Sequence, residues 1–154
     1  MTYLIGFDGS LDAQAAIAYT GARLRPEPTV VLTVWEPLLS QLAWAPLAAG
    51  GPIPLQQESE QREEERQAER VAQEGADLAI AAGLLDAVPR AERGTGPVWA
   101  TIVDFAKELD ASLIVVGSRG LSRVKSVLLG SVSDRVLHHA ARPTLIVPPL
   151  ERDG

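Results

Sequence analysis

Three glycines and the residues around them are the part of this chain best suited to chemistry. Two residues separate Gly117 from Gly120, nine separate Gly120 from Gly130, and Ser131 follows at once. Glycine has no Cβ, so the amides around it can approach an oxyanion closely. Gly130 and Ser131 stand where a helix begins, and a helix start offers unpaired amides and the positive end of the dipole. Ser131 and Ser133 can add hydroxyl donors. No acidic residue occurs from Ala111 to Ser133, whereas Arg119, Arg123 and Lys125 are basic. In a chain of net charge −6, that local bias favours an anion such as phosphate. The plainer reading is that these glycines only supply positive φ angles at turns.

A second polar break, Asp8-Gly9-Ser10, follows an apolar opening, TYLIGF. Asp8 suits either a ligand contact or a turn, and Ser10 is placed to cap the following helix. The glycine pattern is not a P-loop, because no Gly-Lys-Ser/Thr follows it. It is not the dinucleotide fingerprint either, whose glycines are closer together and follow the first strand. His138 and His139 are adjacent on a helix, point in different directions, and read as surface or packing residues. Cysteine is absent, which excludes disulfides and thiolate metal sites. The sequence pI near 4.9 argues against broad binding to nucleic acid or anionic membrane. No metal ligand set and no nucleophile-base pair is evident.

These residues need elements to hold them. Apolar runs predict strands at 2–7, 29–35, 84–91, 112–116 and 143–147. The strand at 84–91 is weakened by Pro89. Helical spacing predicts helices at 11–24, 57–82, 97–109 and about 131–141. Within 57–82 the buried side is expected to be Ala68, Val71, Gly75, Leu78 and Ala82. The acidic start of that helix reads as a solvated face. Residues 36–56 hold Trp44, Pro46, Gly50, Gly51, Pro52 and Pro54, and read as a long loop. Alternating strands and helices predict an α/β domain over 1–150, built on a parallel sheet covered on both faces, followed by a short tail at 151–154. No segment approaches the roughly 18 apolar residues of a membrane span, and no secretory leader is recognisable, so the expected location is the cytoplasm. If the first and fourth strands are neighbours, both polar breaks meet at one crevice.

The G-x2-G-x9-G-S pattern, followed by VSDRVLHHAARPTLIVP, resembles the signature of the universal stress protein family. The likeness extends to the FDGS start, to LTVWEP and to SLIVVGSRG. The resemblance implies a Rossmann-like open sheet of five strands in the order 3-2-1-4-5. It implies an adenine nucleotide, ATP or else ADP or AMP with Mg²⁺, between the ends of the first and fourth strands. Carried over position by position, Asp8, with Gly9 and Ser10 behind it, would lie near adenine and ribose. Val34 would meet adenine through its backbone, and Val116 and Gly117 would border the ribose. Gly120, Gly130, Ser131, Val132 and Ser133 would surround the phosphates, with Arg119 a lesser candidate. The resemblance also implies a homodimer through the last strand. The expected function is nucleotide-dependent signalling in the stress response through a protein partner. The alternatives are a weak Mg²⁺-dependent ATPase and an interaction module that ignores nucleotide.

Overall fold

A computed structural model describes residues 1–37, 54–118 and 130–149, with backbone alone for 54–57. Five strands form one sheet: β1 (Tyr3–Gly6), β2 (Pro28–Trp35), β3 (Leu85–Arg93), β4 (Leu113–Gly117) and β5 (Thr144–Val147). Its order is β3-β2-β1-β4-β5, and every neighbouring pair is parallel. Helices α1 (Leu11–Arg23), α2 (Pro54–Ala81), α3 (Val98–Leu109) and α4 (Ser131–His139) make the crossovers.

Strand periodicity decides which helices cover which face. Successive strand residues point to opposite sides. Ile5, Val31 and Val115 therefore face one way and pack with Ala16 and Ile17 of α1 and Ala76 and Ala79 of α2. Leu4, Leu32, Ile114 and Val116 face the other way, against Ile102 and Ala106 of α3 and Val136 of α4. Each large apolar side chain buried in these layers contributes on the order of 1.5–3 kcal/mol. Strands loaded on both faces have to be apolar throughout, which is why TVVL and LIVV lack polar alternation.

Three elements have an end that differs from its expected bound by two residues or more. Helix α2 starts at Pro54 rather than 57. Proline is well suited to a first turn, whose amides have no helical acceptor in any case. Of the expected loop at 36–56, residues 38–53, with Trp44, lie outside the described residues. Strand β3 runs through Pro89 to Arg93, where Pro89 pairs in register with Val31. It can do so because β3 is an edge strand, and an edge tolerates a missing donor. Helix α4 ends at His139, short of 141, and Ala141 has φ +50°. Of the five positions expected on the buried side of α2, Ala68, Val71, Gly75 and Ala82 face the core and Leu78 does not. Ala68, Ala72, Ala76 and Ala79 are buried, whereas Leu78 is turned outward. Alanines let the helix lie close to the sheet.

Candidate functional site

Strand β1 is the point where the winding reverses. The chain proceeds from β1 to β2 and β3 on one side, and β4 and β5 fill the other. Connections at such a point diverge and leave a crevice beyond the strand ends. Ile5 pairs with Val115, so the ends of β1 and β4 are level. The Asp8-Gly9-Ser10 break and the Gly117-Ser118 break therefore stand side by side, as the sequence led one to expect.

The first break is a tight turn. Asp8 Oδ1 accepts a hydrogen bond from the Ser10 amide at 2.9 Å. Gly9 has φ +82°, a conformation that glycine adopts without strain. Ser10 caps α1: its Oγ accepts from the Ala13 amide at 3.2 Å. Thr33 ties this end of β1 to β2 by donating its hydroxyl to the Phe7 carbonyl at 2.8 Å. Asp8 itself is exposed, and Ser10 is buried under the turn.

The second break works differently from the plain turn reading. Gly117 has no positive φ. A Cβ there would lie 2.9 Å from the backbone carbon of Asp12 and 3.0 Å from its Cβ. Gly117 lets the first turn of α1 press against the end of β4. Val116 is 4% exposed and belongs to the core, so only its backbone can border a ligand. Val34 packs at the margin of the same core layer, near the end of β2.

Gly130 is the N-cap of α4, in an extended conformation (φ −67°, ψ 159°), and has no side chain to satisfy the helix amides. Its carbonyl accepts from the Asp134 amide at 3.0 Å. Helix geometry leaves the amides of Ser131, Val132 and Ser133 without intrahelical acceptors. Ser131 is exposed and Val132 half-buried. Ser133 is only 2% exposed, and its hydroxyl donates to the carbonyls of Ser118 and Gly130, each at 3.0 Å. Ser133 thus has an internal hydroxyl, not the outward donor expected from its place beside Ser131. Arg119 and Gly120 lie outside the described residues.

Sequence reasoning passed over Ser118. Its amide donates to the Val147 carbonyl at 2.9 Å, and its carbonyl receives both the Gly130 amide and the Ser133 hydroxyl. Backbone groups carry that role, so the residue type gave no signal. The two histidines behave as expected. His138 meets Asp134 at 3.3 Å on the surface, and His139 stacks on Trp99 with ring centroids 4.6 Å apart. Among the described residues, no group of three or more His, Asp or Glu is placed to hold a metal ion. No described helix is long and apolar enough to cross a membrane.

The sequence model of the universal stress protein family matches residues 1–148. The chain belongs to the universal stress protein family. A universal stress protein of Mycolicibacterium smegmatis is 30% identical over 147 residues, which covers 94% of this chain and 47% of that one. The matches cover less than half the length of these curated universal stress proteins. Among solved structures, hypothetical protein MJ0577 superposes with a TM-score of 0.76 at 20% identity, covering 98% and 97% of the two chains. A universal stress protein in complex with cAMP gives 0.63 at 24% identity, covering 97% and 98%. One from Archaeoglobus fulgidus in complex with dAMP gives 0.54 at 23%, covering 96% and 97%. These likenesses bear out the family's fold and the strand order 3-2-1-4-5.

Proposed function

We propose that this universal stress protein domain binds an adenine nucleotide, foremost ATP, and passes its nucleotide state to a protein partner in the cytoplasm. The observation that carries this reading is the meeting, at the reversal point of the sheet, of the Asp8 turn with an α4 start that lacks a side-chain cap. Such a start suits phosphate oxygens, because their charge satisfies amides that nothing in the helix can. The two universal stress protein complexes, with cAMP and with dAMP, fit the same ligand class.

In this reading Asp8, Gly9 and Ser10 lie beside adenine and ribose, together with the backbones of Val34, Val116 and Gly117. Gly120, Gly130, Ser131, Val132 and Ser133 form the phosphate end, with Arg119 at its margin. Mg²⁺ would arrive with ATP, held by the phosphate oxygens, and would offset their charge. The residues bind and orient; none is assigned a catalytic step. Strand β5, an apolar strand at the sheet edge, is the proposed homodimer contact.

Equilibrium titration of folded protein with ATP, ADP, AMP and cAMP tests the binding. Saturable ATP binding with a dissociation constant below about 1 mM is expected. Protein shown to be folded that binds none of the four below that concentration refutes the reading.

A further inference from the structure

The least exposed hydroxyl of the phosphate end is the one that cannot touch a ligand. Ser133 is 2% exposed, and its Oγ faces two backbone carbonyls at 3.0 Å, those of Ser118 and Gly130. Its single proton is shared between them, and neither bond leads outward. Ser118 is itself anchored, because its amide extends the β4–β5 ladder by donating to Val147. The Ser118 carbonyl is therefore a fixed point of the sheet. Two groups from the α4 start hold on to it, the Gly130 amide and the Ser133 hydroxyl. Of these, only the hydroxyl comes from a side chain. Gly130 has none and cannot cap its own helix.

We propose that Ser133 is a positioning residue: its hydroxyl clasps the Ser118 carbonyl and thereby sets where the first amides of α4 point. This rests on the nucleotide-binding reading given above. Without the hydroxyl, α4 stays folded through Val136 and Ala140, which are buried in the core layer shared with α3. Its first turn loses one of its two ties to the end of β4. The amides of Ser131, Val132 and Ser133 then no longer converge on the place where phosphate would sit. Adenosine, which has no phosphate, is indifferent to that turn.

The test compares wild type, Ser133→Ala and Ser133→Thr by displacement of a fluorescent ATP analogue. ATP and adenosine serve as competitors, at a temperature where near-UV circular dichroism shows all three proteins folded. Ser133→Ala is expected to weaken ATP about five- to tenfold, the scale of one neutral hydrogen bond. Adenosine should change less than about twofold. Ser133→Thr, which keeps the hydroxyl, should recover most of the ATP affinity. Unchanged ATP affinity in Ser133→Ala overturns the proposal, and so does an equal loss for adenosine. Failure of the wild type to bind ATP removes the underlying reading as well, so the two failures are told apart by the wild-type arm.

Discussion

Gly117 and Gly130 belong to one sequence pattern but answer to different forces. Neither has the positive φ that usually explains a glycine. Gly117 is small because the first turn of α1 occupies the space its side chain would need. Its contribution to a phosphate cradle is thus indirect, through the placement of α1 beside β4. Gly117→Ala would put a methyl about 3 Å from Asp12 backbone atoms, where neither element yields easily. Overpacking of this kind costs about 1–3 kcal/mol. The midpoint of thermal unfolding should fall by several degrees at roughly 2–4 °C per kcal/mol, and calorimetry checks it. A midpoint within about 1 °C of wild type would show that α1 moves aside freely. Gly130 offers the opposite case: what matters there is the absent capping group, so the N-cap supplies no side-chain acceptor to the α4 amides.

At the scale of elements, the two helices that begin at the crevice are finished differently. Helix α1 is closed by Ser10, whose hydroxyl accepts from Ala13, and carries Asp12 in its first turn. Helix α4 is left without a side-chain cap. A capped start satisfies itself, and an uncapped one waits for an acceptor. Ser10→Ala should cost about 1 kcal/mol of stability, read as a lower midpoint in chemical denaturation. Much of this layout was legible in the chain. Asp8-Gly9-Ser10 and the LIVV and TLIV runs were readable, because turn chemistry and double-sided burial leave local traces, whereas Gly120 of the glycine pattern lies outside the described residues. The rest left no such trace. The Ser118 carbonyl and the Thr33 tie to Phe7 depend on residues remote in sequence. The inward turn of Ser133 depends on a contact across 15 positions. The start of α2 at Pro54 was concealed by a proline that suits a loop as well as a first helical turn.

At the scale of the whole molecule, the sheet has two edges and they are not alike. Strand β5, Thr144–Val147, has no proline within it, whereas β3 carries Pro89 in its middle. Proline brings no N–H, so the β3 edge cannot present a complete row of donors and acceptors. The proposed pairing through β5 should appear in sedimentation velocity as a dimer at tens of micromolar, on the order expected for a working dimer, and a monomer there would refute it. Replacing Pro89 by Thr, a good strand former, should raise light scattering at high concentration. No rise would mean that β3 is guarded by something else. The difference between the edges bears on how many copies can join. A subunit with one competent border takes a single partner and presents nothing further, so association has a last member. With two competent borders, each addition exposes the next, and the series has no natural end. With the proposed pairing through β5, a pyrrolidine ring at position 89 would favour a particle of fixed stoichiometry over an open polymer.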